Sequence, residues 1–257
     1  MKIVAISGGN NSNIKKNGES QIYEHEAIDK EIIRLTGKEH PNVLFISHAG
    51  EEEEELASYK KIISTYGFMF HCNVSLLTIN MLKDFKLTNS LTEWADIIYV
   101  GGGNTRKMIN LWRQYQYDET LKKACLDGKV LCGISAGANC WFTYSCSDYL
   151  QMELNDPNAP FALTDGICLV DLIFNPHANY RGRLEGIKEI LKTMPQTGIS
   201  LSNNMAFEIV DGEYKVIEGI SSENEEQFAL LSYWENNTYH SKPIPSKGLI
   251  KELSYKK

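Results

Sequence analysis

The run Lys129-Val-Leu-Cys-Gly-Ile-Ser-Ala-Gly-Ala-Asn139 constrains this chain more than any other stretch. Val130–Cys132 is an apolar segment too short for a helix and suited to a buried strand. Gly133-Ile-Ser135-Ala-Gly137 follows at once with the G-x-S-x-G spacing of a nucleophile elbow, a sharp strand-to-helix turn with the serine at its apex. Glycines two residues to either side let the neighbouring backbones approach. Backbone N–H groups at the start of the next helix then point at whatever the serine attacks. Ala136, Ala138, Trp141 and Phe142 predict that this helix continues with an apolar side. A glycine-bordered turn with an idle serine is the alternative reading of the same residues.

The surrounding pattern is that of an α/β protein with a mostly parallel sheet sandwiched by helices. Apolar runs at Ile3–Ile6, Val43–Ile46, Asn73–Leu77 and Ile97–Val100 precede the elbow strand. Ser7 to Asn10 and the polar tract to about Glu24 read as loop. Ala27, Ile28, Ile32, Ile33 and Leu35 are spaced for a helix that Gly37 ends. Leu56, Tyr59, Ile63 and Tyr66 predict a second amphipathic helix, terminated by Gly67. Glu51–Glu55 suits the solvated first turn of that helix. Thr88-Asn-Ser90 supplies an N-cap for a third. Alternation of this kind places the strand-end loops on one rim, where such sheets bind ligands. Further on, Ile167–Phe174 reads as a strand, and Arg183 opens a helix ending near Thr193. Phe207–Val210, Asp211-Gly212 and Tyr214–Ile217 form a C-terminal β-hairpin, and Phe228–Trp234 is a further strand. No linker, repeat or low-complexity block divides residues 1–257, which are read as a single domain.

Two other segments fall on the rim beside the elbow. Gly101-Gly-Gly-Asn-Thr105 lacks the Gly-Lys-Ser/Thr of a phosphate loop. Beside a serine elbow it reads as an oxyanion loop, its backbone N–H complementing that of Ala136. Asn175-Pro-His177 ends a strand with a backbone fixed by proline, and the histidine follows the serine in chain order as a base would. Composition narrows the partners. With 42% hydrophobic residues, a net charge of −7 and no basic stripe, the chain is not built for nucleic acid. Nothing approaches a membrane span, and the opening Met1–Ile6 is a strand and not a signal peptide. Six cysteines without a C-x-x-C pair predict buried, reduced thiols in a cytoplasmic protein. Six scattered histidines give no metal site, so neither metal nor cofactor is expected.

Together, Gly101–Thr105, Gly133–Asn139 and Asn175-Pro-His177 make the sequence resemble the peptidase E (aspartyl dipeptidase) family of serine peptidases. The resemblance runs from the first strand to the terminal hairpin. It implies a fold like the class I glutamine amidotransferase domain, and metal-free hydrolysis of small peptides with an N-terminal aspartate. Residue by residue, Ser135 matches the nucleophile and His177 the base, while Gly102, Gly103 and Ala136 match the oxyanion loops. Asp148 looks like the third triad member, with Asp165 and Asp171 as competitors. Arg183, with Arg181 second, matches the residue that recognises the substrate carboxylate; Asn104 is the other substrate-binding candidate. The segment between His177 and Arg183 is shorter than the family pattern.

Two rival readings remain at this level. One is a cyanophycinase-like hydrolase of β-aspartyl peptides, which shares the serine box. The other is a non-catalytic ligand-binding protein on the same fold. The expected partner is a small peptide, with no nucleic acid or membrane, for a monomer or small homo-oligomer.

Overall fold

A computed structural model describes residues 1–9, 13–14, 22–221 and 226–254. Most of the polar tract up to about Glu24, whose composition predicts a loop, lies outside the described residues. In chain order the strands and helices are β1 (Lys2–Ile6), β2 (Asn13–Ile14), β3 (Ile22–Tyr23), α1 (Glu26–Thr36), β4 (Asn42–Ile46), α2 (Glu52–Ile62), β5 (Asn73–Leu77), α3 (Phe85–Trp94), β6 (Ile97–Val100), α4 (Thr105–Gln114), α5 (Tyr117–Leu126) and β7 (Val130–Ile134). They continue with α6 (Ala136–Asn139), β8 (Phe142–Ser147), α7 (Tyr149–Leu154), β9 (Ala162–Asp165), β10 (Val170–Asn175), α8 (Arg183–Leu191), β11 (Gly198–Leu201), β12 (Met205–Val210), β13 (Glu213–Glu218), β14 (Ala229–Glu235), β15 (Thr238–Pro243) and β16 (Lys247–Leu249).

The principal sheet has the order β16-β13-β12-β1-β7-β6-β4-β5. From β1 to β5 all neighbours are parallel. The hairpin β12–β13 and β16 add antiparallel strands at the other edge. Alternate residues of β1 divide the core: Val4 and Ile6 pack towards Ile28 and Ile32 of α1, whereas Ile3 and Ala5 join Met108 and Trp112 of α4. Helices thus cover both faces, as the apolar runs predict. The hairpin turns on Asp211 and Gly212, both at positive φ (49° and 89°), the backbone of a two-residue turn that matches strand twist.

A second sheet, of order β15-β14-β11-β10-β8-β9, stands beside the first. Phe142 of β8 stacks on Phe174 of β10 with ring centroids 4.6 Å apart. Both belong to the same buried cluster as Ile3 and Trp112. The helix after the elbow stops after one turn, at Asn139, and Phe142 opens β8 instead of continuing it.

Two other local expectations change. The second helix does not end at Gly67; it continues in wider π turns over Ile63–Met69, with the Phe70 amide bonded to the Thr65 carbonyl. This shift buries Tyr66 and leaves Leu56 at 58% exposure. The third helix is capped by Asp84, whose carboxylate accepts the Leu87 amide at 3.0 Å, and not by the Thr88–Ser90 segment. The Thr88 hydroxyl donates instead to the Met81 carbonyl. No helix of the described residues is long and apolar enough to cross a membrane. Five of the six cysteines are buried, Cys168 is exposed, and all six are free thiols.

Candidate active site

Parallel register puts the ends of β1, β4, β6 and β7 on one rim, and two backbone bonds fix the loops there. The Ser135 amide donates to the Ile6 carbonyl of β1 at 3.0 Å, and Gly101 N–H to the Ile46 carbonyl of β4 at 2.8 Å. Ser135 has φ +57° and ψ −115°, a backbone that L-residues adopt at a cost of about 1–3 kcal/mol. The turn is held because its glycines leave no alternative. A Cβ on Gly133 would overlap the Gly137 carbonyl, and one on Gly137 would overlap that of Val100.

The geometry brings His177 to this serine. Its Nε2 lies 2.6 Å from Ser135 Oγ, and its Nδ1 lies 2.9 Å from Asn203 Oδ1. An amide oxygen only accepts, so Nδ1 carries the hydrogen and Nε2 is left to accept the serine proton. His177 itself has φ +134°. The flanking bonds from Ala178 N–H to the Leu201 carbonyl and from Tyr180 N–H to the His177 carbonyl, both 3.0 Å, brace that conformation. Tyr180 stacks on the imidazole with centroids 5.4 Å apart. Burial, and then the positive charge of Arg183, push the imidazole pKa down to about 4, against the opposing pull of the Asn203 bond and Asp148. The ring is neutral at pH 7.

On the other side of the serine, Gly102 stands so close that a Cβ there would lie 3.4 Å from Ser135 Cβ. Gly103 has φ +137°, and its Cβ position is filled by the Ala49 carbonyl, which also accepts the Asn104 amide at 2.7 Å. The loop is therefore pinned against the turn after β4. Among the described residues the amides of Gly102, Gly103 and Ala136 have no protein acceptor. Asn139 Nδ2 ties the elbow helix to Thr105 Oγ1 at 3.0 Å.

Three candidates sit differently from the sequence reading. Asp148 does not reach the imidazole: its Oδ2 accepts from Arg183 Nη2 at 2.8 Å, because a buried guanidinium needs a counter-charge, and Asn203 occupies the position expected of it. The competitors are elsewhere, Asp165 paired with Arg113 and Asp171 with Gln196. Arg183 is only 2% exposed, and its Nη1 is bound to the Cys146 carbonyl at 2.9 Å, so its charge does not face an open site. Asn104 caps α4 through the Lys107 amide at 2.9 Å, and its Nδ2 reaches Glu153 at 3.1 Å; both ends of the side chain are taken. Two participants escaped the sequence reading. Asn203 follows β11 in a stretch that reads as an ordinary turn. Gly8 leaves the space into which the His177 ring fits, since a Cβ there would overlap the imidazole; the paired glycines after β1 were the available signal.

Among the described residues no group of His, Cys, Asp or Glu could hold a metal ion. What the fold and rim define is an α/β protein with a serine at a nucleophile elbow and a neutral imidazole on its hydroxyl. Residues 4–217 match the model of peptidase family S51, and the chain belongs to that family. The uncharacterized peptidase YgaJ of Bacillus subtilis (strain 168) is 31% identical over 148 residues, which span 57% of this chain and 59% of that protein. A crystal structure of a peptidase from an acI-B1 Actinobacterium superposes with TM-score 0.63 over 96% of each chain at 14% identity. A candidate peptidase E protein from Listeria monocytogenes EGD-e superposes with TM-score 0.60, over 86% of this chain and 98% of that one, at 21% identity. At those identities the two structures speak for the fold alone.

Proposed function

We propose that this S51 peptidase is a serine-type dipeptidase that hydrolyses short peptides through Ser135, His177 and Asn203. The observation that carries this reading is the 2.6 Å contact between Ser135 Oγ and an imidazole whose far nitrogen is held by an acceptor. Ser135 Oγ attacks the scissile carbonyl as its proton passes to His177 Nε2. The tetrahedral oxygen is received by the amides of Gly102, Gly103 and Ala136, where one lost donor costs about 3–4 kcal/mol of barrier. His177 returns the proton to the departing amine, and water then releases the acyl group by the same route. Asn203 fixes the tautomer as a carboxylate would, but adds no charge.

The finer reading, a preference for N-terminal aspartate, needs a cation that Arg183 does not offer. Arg181 is exposed, lies four residues after His177, and forms no ion pair among the described residues. It is the residue we assign to the acidic side chain. Labelling with a fluorophosphonate, followed by peptide mapping, tests the nucleophile: modification at Ser135 that vanishes in Ser135→Ala is expected, and an unlabelled wild type would defeat the proposal.

A further inference from the structure

Gly8 and Gly9, after β1, separate two histidine–asparagine pairs. On one side a Cβ on Gly8 would overlap the His177 imidazole and lie 2.6 Å from Asn203 Oδ1. On the other, a Cβ on Gly9 would overlap Asn204 Oδ1 and lie 2.7 Å from His25 Nε2. His25 is fully buried. Its Nε2 lies 3.2 Å from the Gly8 carbonyl oxygen and 3.1 Å from Asn204 Oδ1. A carbonyl only accepts, so Nε2 carries the hydrogen, and Asn204 turns its oxygen and not its nitrogen to the ring. Nδ1 is buried without a hydrogen-bond partner among the described residues. The imidazole therefore bonds along one edge alone, the edge that faces Gly8 and Asn204.

The ring is anchored from the helix behind it. His25 is the N-cap residue of α1, and its carbonyl accepts the Asp29 amide at 2.9 Å. Asp29 is itself buried and accepts from the hydroxyls of Tyr23 and Tyr66. The neighbouring Glu24 carbonyl accepts the Ile220 amide at 2.8 Å. On the turn between β11 and β12, the Asn204 amide donates to the same Gly8 carbonyl at 2.8 Å, and the Asn203 amide donates to Asn179 Oδ1 at 3.1 Å. These backbone bonds place the turn. The side chains of Asn203 and Asn204 are set by the histidine that each one meets, His177 and His25.

We infer that His25 is a positioning residue for the serine's base: by donating to Gly8 and Asn204 together, it locks the loop that supports the His177 ring to the turn that supplies Asn203. This role rests on the Ser135–His177 reading and deepens it. His25 bonds to neither Ser135 nor His177, so it acts only through its two acceptors. Without its N–H, the Gly8 carbonyl and the Asn204 oxygen lose a shared donor, and Asn203 Oδ1 drifts from His177 Nδ1. An imidazole whose Nδ1 is not held turns or changes tautomer, and Nε2 then no longer accepts the serine proton. The loss falls on the chemical step and not on the binding of substrate.

The test compares His25→Phe, which fills the ring's space without a donor, with His25→Gln, which keeps an N–H near the Nε2 position. Active sites are counted by fluorophosphonate titration to completion, and kcat for a dipeptide is expressed per titrated site. His25→Phe is expected to lose about 10- to 100-fold in kcat, with KM within about threefold of the wild type, and His25→Gln to recover most of that loss. Asn204→Gly removes the acceptor and suits the φ of +60° at that position, so it decides where His25→Phe does not fold. It should show the same loss, and the double variant should be no slower than the slower single one, because both act through one contact. In the proton spectrum, the imidazole N–H signal that disappears in His177→Ala should broaden by exchange with water in His25→Phe and Asn204→Gly, and stay sharp in His25→Gln. Fewer titrated sites at an unchanged kcat would make His25 a structural residue only and overturn the inference. So would additive losses in the double variant, or a His25→Gln as slow as His25→Phe. An unlabelled wild type strikes the serine reading instead, and the imidazole N–H signal still reports on His25.

Discussion

Asn203 Oδ1 lies 2.9 Å from His177 Nδ1, so a neutral amide orients the imidazole that meets Ser135. An amide fixes the tautomer and favours the imidazolium only through a neutral hydrogen bond, which burial and the Arg183 charge outweigh, so the pKa is pushed down to about 4. Lowering the pH inactivates the base only when the ring takes a proton. The acid limb of kcat/KM is therefore expected near pH 4, with a flat profile from there towards neutrality. Asn203→Asp adds a charge beside the ring and should move that limb up by about 1–3 pH units. A variant whose limb stays with the wild type would separate Asn203 from the working base.

The strained apex of the elbow is separable from its chemistry. Ser135→Ala and Ser135→Gly both remove the nucleophile and should lower kcat by at least about 10⁴-fold. Only glycine adopts φ +57°, ψ −115° without cost. The glycine variant should be the more stable of the two by about 1 kcal/mol, a melting difference of roughly 2–4 °C. Equal melting temperatures would mean that the elbow stores no strain.

Gly137 is a packing requirement before it is a motif letter. A methyl group there meets the Val100 carbonyl, which the chain cannot move without opening the sheet between β6 and β7. Gly137→Ala should cost about 1–3 kcal/mol and separate the elbow from Gly102, with loss of labelling at Ser135. Gly67→Ala is the control, since a Cβ there meets only ordinary contacts, Ile63 at 3.6 Å and Val74 at 3.7 Å, without a positive φ. If Gly137→Ala matches that control in stability and labelling, the close approach is not needed.

These glycines also explain what could be read from sequence. Gly133, Gly137 and Gly103 encode backbone contacts that no other residue permits, so a short motif suffices to place Ser135 and the loop after β6. His177 was legible for a similar reason, as a proline-fixed residue at a strand end. Asn203 was not, because its significance arises only when β11 pairs in parallel with β10 and brings the two strand ends together. Asp148 drew attention as a carboxylate in about the right place. Whether it served His177 or a buried arginine depended on the burial of Arg183, which a helix-opening arginine in a polar segment does not announce. The one-turn α6 was hidden too: Trp141 and Phe142 continue a helical spacing, whereas the helix ends at Asn139 and Phe142, stacked on Phe174, opens β8.

The two arginines after His177 can now be assigned different work. Arg183→Met takes away the partner of a half-exposed Asp148 and the donor to the buried Cys146 carbonyl, a loss of about 1–3 kcal/mol. Its first effect should be a fall in melting temperature, with any loss of activity following from lost structure. Arg181 is exposed and touches no carboxylate among the described residues, so Arg181→Met should melt with the wild type. If Arg181 reads the substrate's acidic side chain, dipeptides beginning with Asp are cleaved faster than those beginning with the near-isosteric Asn. Arg181→Met should then erase most of that difference, because a guanidinium pairs both carboxylate oxygens and a thioether pairs neither. Labelling at Ser135 should be unchanged in that variant. Equal cleavage of the Asp and Asn dipeptides by the wild type would remove the aspartate preference altogether. A preference that survives in Arg181→Met would place the discriminating cation elsewhere.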